Sequence, residues 1–240
     1  MVALTLNSVS KTYLLEARQV AALTDINLTV DAGQFVTIVG RSGCGKTTLL
    51  RLIAGLERKT SGQLLFNPPD AKIGLVFQEP RLMPWLTVEG NMAFALLKET
   101  DQTVVRQTVN HYLKLLHLED FRSAYPAQIS GGMAQRAAVG RALCFNPDII
   151  LMDEPLGALD AFTRASLQKE LVQIFCLAGK TILFVTHDVD EAVLLGQRVI
   201  VMGNGRILNE FSVPLAYPRN TSDKTFFDIR TQVLEAIMTD

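Results

Sequence analysis

Two hydrophobic periods divide the chain. Residues 4–30 alternate apolar and polar positions, as strands of a half-exposed sheet do, and Asp31-Ala32-Gly33 supplies a turn. Beyond that turn, Phe35–Val39, 73–77, 149–152 and Thr181–Thr186 are short apolar runs. Strands buried on both faces of a parallel sheet read this way. Between the runs the period becomes helical. Leu49, Leu50, Leu52, Ile53 and Leu56 share one helix face, and residues 87–120 repeat the pattern from Val88 and Met92 through Val109, Leu113 and Leu116. A further helix over 161–178 stops at Gly179, and Gly203-Asn204-Gly205 marks a hairpin between 199–202 and 206–211. About thirty residues remain after the hairpin, enough for one helix and its connection. The pattern predicts a single α/β domain over residues 1–240. It has a mainly parallel sheet, an N-terminal antiparallel β region and a helical subdomain inserted from about residue 79 to 146.

Candidate chemistry collects at the ends of the buried runs. After the first comes Gly40-Arg41-Ser42-Gly43-Cys44-Gly45-Lys46-Thr47-Thr48, which fills G-x-x-x-x-G-K-[ST] and leads straight into a helix. Backbone N–H groups and the helix N-terminus there favour phosphate. Gly43 and Gly45 let the backbone approach the phosphate oxygens, Lys46 reaches the β/γ-phosphates, and the Thr47 hydroxyl takes a Mg²⁺ position. Cys44, at a helix N-terminus, is a candidate reactive thiol. The run 149–152 ends at Asp153-Glu154, where Asp153 is placed for Mg²⁺ and Glu154 for the attacking water. Adjacent acids at a strand end are otherwise a solvated terminus; the phosphate loop tips the reading toward chemistry. Gln78, after 73–77, can coordinate Mg²⁺ and water. His187, after 181–186, can donate to the γ-phosphate, although a histidine after a strand is more commonly structural. Asp160 either acts across a dimer interface or caps the helix that begins at Ala161.

Ser130-Gly131-Gly132 opens another helix, with Ser130 as its cap, and so offers a second set of N–H donors for phosphate. One chain holds one nucleotide between two such segments poorly. Their order implies two copies closing head to tail over ATP.

Composition narrows the partners. The chain has 240 residues, 48% hydrophobic and 20% charged, with a net charge of −1. Nucleic-acid binding without sequence preference needs a basic face, and nothing here indicates one. Cys44, Cys144 and Cys176 share no close spacing, which fits neither a metal site nor a disulfide framework and points to a reducing compartment. Cys144 and Cys176 are expected to be small core hydrophobes. No N-terminal signal and no apolar stretch near eighteen residues appears, so any membrane role is peripheral, through a partner.

The ordered set of phosphate loop, Gln78, Ser130-Gly131-Gly132, Asp153-Glu154, Asp160 and His187 resembles the ATP-binding subunits of ABC transporters over essentially the whole chain. That resemblance implies that Tyr13 stacks on adenine, where the residues alone indicate a strand-end aromatic. Ile129 and Met133 depart from the Leu and Gln usual in the family, both without threat to ATP binding. The run Gln78-Glu79-Pro80-Arg81-Leu82-Met83-Pro84-Trp85-Leu86-Thr87-Val88 is similar to the nitrate/sulfonate/taurine branch of bacterial importers. In that family the helical subdomain cradles the permease, so Trp85 either packs inside the subdomain or lines the permease cleft. The resemblance implies a homodimeric ATPase using ATP and Mg²⁺ on the cytoplasmic face of the plasma membrane. Its partners would be permease subunits and, indirectly, a substrate-binding protein, with no nucleic acid and no C-terminal regulatory domain. An exporter ATPase is one alternative. A non-transport ABC ATPase on nucleic acid or ribosomes is another, usually marked by fused cassettes, a coiled-coil insert or a basic arm, none of which is present.

Overall fold

The computed structural model describes residues 2–15 and 18–239. Strands β1 (Val2–Leu15) and β2 (Arg18–Asp31) pair antiparallel, with Leu4 opposite Val30 and Tyr13 opposite Val20. Next, β3 (Phe35–Val39) leads into helix α1 (Lys46–Ile53). Strand β4 (Ser61–Phe66) then returns to the other edge of β1, with Leu6 opposite Leu64. The alternation over 4–30 thus forms two strands of a three-stranded antiparallel sheet in the order β2-β1-β4. Its third strand has no counterpart in the sequence reading.

The second sheet has six strands in the order β5-β6-β7-β3-β8-β9. They are β5 (Ile73–Val76), β6 (Ile149–Asp153), β7 (Thr181–Thr186), β8 (Arg198–Gly203) and β9 (Arg206–Ser212) around β3. All neighbours run parallel except β9, which returns antiparallel from β8. The hairpin between them turns at Asn204 and Gly205, with φ of 44° and 74°. Positive φ at both central residues matches the right-handed twist of the flanking strands.

Helices α2 (Val88–Ala93), α3 (Gln102–Leu115) and α4 (Gly131–Cys144) lie between β5 and β6 in the chain. Helix α5 (Ala161–Ala178) joins β6 to β7 and ends at Gly179, whose φ of 58° allows its N–H to reach Phe175 O. Helices α6 (Val189–Leu195) and α7 (Lys224–Met238) complete the chain.

Alternate residues along each central strand feed opposite cores. Ile149, Leu151, Leu183 and Val185 join α1 and the antiparallel sheet on one face. Ile150, Met152, Ile182 and Phe184 join Leu167, Leu171 and Ile174 of α5 and the α2–α4 segment on the other. Leu49, Leu50, Leu52 and Ile53 of α1 are all buried, each contributing about 2 kcal/mol. Cys144 belongs to this interior, and burial pushes its thiol up to about 12. Cys176 does not: it is exposed on α5, contrary to expectation.

Candidate active site

Parallel pairing brings the C-terminal ends of β5, β6, β7 and β3 to one sheet edge, so residues far apart in sequence meet there. In open α/β sheets this edge is where ligands bind. The loop after β3 curls over a cleft of about 220 Å³ lined by Ala22, Ser42, Gly43, Lys46, Thr48 and Glu154. Gly45 caps α1 with φ of 105°, and a Cβ on it would stand 2.6 Å from Ala22 O. Only glycine tolerates both the conformation and the pressure of β2 behind it. The Lys46 ammonium is buried and donates to Gly40 O at 2.8 Å and Arg41 O at 3.1 Å. Arg41 and Ser42 are exposed at the loop's tip. Cys44 is not: its thiol is buried in the core beside α1, so the candidate reactive thiol is shielded.

Thr47 Oγ1 donates to Asp153 Oδ1 at 2.9 Å, joining the loop to the end of β6. Burial pushes the Asp153 carboxyl above its ordinary value, opposed first by that hydrogen bond. Glu154 has a φ of 45°, and its N–H donates to Val185 O at 2.9 Å on the adjacent strand. A left-handed non-glycine residue costs about 1 kcal/mol, and here the cost sets the direction in which the carboxylate leaves the strand. His187 Nδ1 stands 2.8 Å from Glu154 Oε2. A carboxylate only accepts, so Nδ1 carries the proton of this hydrogen bond. Gln78 is exposed beside this pair, since a Cβ on Gly157 would lie 3.8 Å from His187 and 3.9 Å from Gln78 Nε2.

Ser130 caps α4, its Oγ accepting from Met133 N at 3.2 Å. Ser130 and Gly131 are exposed, with no atom within 4 Å of the place where a Gly131 Cβ would stand. Gly132 differs: its Cα is turned into the fold, where a Cβ would meet Thr163 Cγ2 at 2.3 Å. Its glycine serves the close approach of α4 to α5, while its N–H stays at the helix N-terminus. None of the three lines the cleft over the phosphate loop. Asp160 caps α5, accepting from Phe162 N at 3.0 Å and Thr163 N at 3.1 Å. Hydrogen bonding, first from the Thr163 hydroxyl, holds its carboxyl below the ordinary range. Tyr13 lies near the tip of β1, two residues along the register from Ala22, with the Lys11 ammonium 4.6 Å from its ring centroid. Trp85 is 72% exposed, so it does not pack inside the helical segment.

Sequence reasoning missed the groups that aim α4. Gln135 is buried and donates to Phe77 O at 3.1 Å, while Arg141 donates to Pro80 O and Arg81 O, so α4 carries the Gln78 segment with it. Arg136 bonds Glu170 Oε1 and Ser166 Oγ, each at 2.9 Å, tying α4 to α5. The signal available was three long polar residues, Gln135, Arg136 and Arg141, in a helix otherwise made of small and apolar ones.

Residues 23–157 match the family model described as "ABC transporter". The aliphatic sulfonates import ATP-binding protein SsuB of Bacillus anthracis is 43% identical over 238 residues, covering 96% of this chain and 94% of that protein. The taurine import ATP-binding protein TauB of Roseobacter denitrificans is 44% identical over 225 residues, covering 90% of this chain and 84% of its own length. Among solved structures, the dimeric ATP-binding cassette MJ0796 in a post-hydrolysis state with ADP and Pi aligns at a TM-score of 0.80 and 34% identity. That alignment spans 89% of this chain and all of the other. The phosphate loop, the acid pair and their shared sheet edge therefore have a family: the chain belongs to the ABC transporters and is an ATP-hydrolysing member of them.

Proposed function

We propose that two copies of this chain close head to tail over two ATP molecules and drive a bacterial-type importer of a small anionic solute, a sulfonate, taurine, nitrate or similar. The observation that carries the catalytic part is the Glu154–His187 pair standing across the cleft edge from Lys46 and the Thr47–Asp153 pair. The exposed N-terminus of α4, apart from its own chain's cleft, supports a role toward a partner's nucleotide. The sulfonate and taurine relatives support import and the solute class.

Lys46 holds the β- and γ-phosphates once they displace the loop carbonyls from its ammonium. Mg²⁺, when bound with the phosphates, neutralises their charge. Thr47 Oγ1 and Asp153 Oδ1 are hard oxygens 2.9 Å apart and suit it, because Mg²⁺ takes few protein oxygens and completes its shell with phosphate and water. Gln78, exposed beside the Glu154–His187 pair, would offer its amide oxygen to the same ion. Glu154 accepts the proton of the attacking water, and His187 fixes its carboxylate through Nδ1–H; Nε2 can donate to a γ-phosphate only when the ring carries both protons. Tyr13 takes the adenine. The helical segment from about 79 to 146 carries Trp85 on its surface for a permease on the cytoplasmic side of the membrane. Among the described residues no helix is long and apolar enough to span one.

The test is Glu154→Gln. Turnover falls by about a hundredfold or more, nucleotide affinity is retained, and an ATP-dependent dimer accumulates on size exclusion. Parallel loss of binding and hydrolysis would make Glu154 structural and sink the assignment. For the permease, co-expressed membrane subunits are recovered with the tagged chain, and Trp85→Ala weakens that recovery; full recovery with the variant would remove Trp85 from the contact.

A further inference from the structure

Away from the nucleotide cleft, a groove of about 690 Å³ runs along α5 beneath the strap 217–221 that precedes α7. Val172 of α5, Leu194 of α6 and the strap residues Tyr217 and Pro218 give it mainly apolar walls. The strap is pinned. The Tyr217 hydroxyl donates to Leu195 O, and Arg219 donates to Leu215 O at 3.1 Å and to Val193 O and Gly196 O at 2.6 Å. The Phe175 ring meets Tyr217 edge-on, with centroids 5.8 Å apart. The groove is therefore preformed, and its volume and apolar lining are those of a small-molecule site.

Its charge is one-sided. Lys169 and Arg219 both line it, and no carboxylate does. Among the described residues Lys169 is exposed with no ion pair, and Arg219 bonds carbonyl oxygens alone, its guanidinium 4.4 Å from the Tyr217 ring. Apolar walls with two cations and no acid attract a ligand that is apolar along its length and negative at one end.

We propose that this groove binds a small amphiphilic monoanion. An alkyl or aryl body lies against Val172, Leu194 and Pro218, and a sulfonate or carboxylate head faces Lys169 and Arg219. Such an anion comes either from a sulfonate solute accumulating beside the chain or from a cellular carboxylic acid; the binding chemistry is shared and does not depend on the transport reading.

Cys176 provides a site-specific reporter, because it lines the groove and is exposed while Cys44 and Cys144 are buried. The full chain is titrated by calorimetry with hexanesulfonate, hexanoate, hexanol and inorganic sulfate, and iodoacetamide alkylation of Cys176 is timed alongside. At least one amphiphilic anion binds saturably and slows Cys176 alkylation about tenfold, while hexanol and sulfate bind about tenfold more weakly. Binding of hexanesulfonate alone assigns the groove to sulfonates; binding of both anions assigns it to carboxylates as well. Lys169→Gln weakens the anions several-fold and leaves hexanol unchanged, and Gln173→Trp, which fills the groove, removes binding at an unchanged melting temperature. The absence of saturable binding overturns the proposal. So does binding that leaves Cys176 alkylation unaltered, equal affinity for hexanol, or full affinity in Lys169→Gln.

Discussion

Gly132 is the second residue of α4, and replacing it tests how closely that helix is held to α5. A Cβ at Gly132 would come to 2.3 Å from Thr163 Cγ2, in the first turn of α5. Gly132→Ala must then separate the helices or turn Thr163 out of its rotamer. Overpacking of this kind costs about 1–3 kcal/mol, and the better helix propensity of alanine returns up to about 1 kcal/mol. The expected net loss of about 1–2 kcal/mol corresponds to a fall of roughly 2–8 °C in melting temperature for a chain of this size. Thr163→Ser deletes the opposing methyl and keeps the hydroxyl, whose oxygen would lie 3.8 Å from the new Cβ, an ordinary contact. The double variant should recover most of the loss, a coupling of about 1 kcal/mol. Gly131→Ala is the control: nothing lies within 4 Å of its Cβ position, so it keeps the propensity gain without the clash and should melt at or slightly above the parent. The assay is thermal unfolding of nucleotide-free protein followed by circular dichroism, with ATP hydrolysis measured on the same samples. An unshifted melt for Gly132→Ala, or no recovery with Thr163→Ser, would refute the steric argument.

Other expectations rest on burial. Glu191 is 4% exposed, accepts from Gln168 Nε2 at 3.1 Å, and is pushed above the ordinary carboxyl value first by desolvation. A raised carboxyl pKa contributes stability that is present at low pH and lost as pH rises through the folded value. Glu191→Gln should therefore gain on the parent as pH rises, read as the difference in denaturant midpoint; a difference independent of pH would contradict it. Maleimide should label native protein at Cys176 alone, since Cys44 is buried and burial pushes Cys144 to about 12. Peptide mapping showing native labelling at Cys44 would mean that the phosphate loop opens to solvent.

The features legible in the sequence are those whose signal is local. The phosphate loop fills consecutive positions, and the buried strands of the parallel sheet, 199–202 among them, are runs of apolar residues. Ser130 and Asp160 precede helices, and both cap them. Strand β4 escaped because Ser61-Gly62-Gln63-Leu64-Leu65-Phe66 is half exposed, has adjacent leucines that break the alternation, and pairs with β1, more than fifty residues earlier. Cys176 was placed in the core because α5 carries apolar residues around most of its circumference, so no period identified the open face. The Thr163 contact that explains Gly132 lies on another helix, and no spacing rule reaches it.

The strand order has a consequence for how the protein is made. Strand β3 bears the phosphate loop, yet both of its neighbours, β7 and β8, come from residues 181–203. At ordinary rates of synthesis the loop strand waits roughly ten seconds for either partner. A chain stopped just after Glu154 already has Lys46, Asp153 and Glu154 but leaves β3 with two bare edges and β6 joined only to β5. Such a fragment presents sticky apolar strands rather than a nucleotide pocket. ATP binding therefore reports completion of the C-terminal third of the protein, and nucleotide can stabilise the nascent chain only at the end of its synthesis.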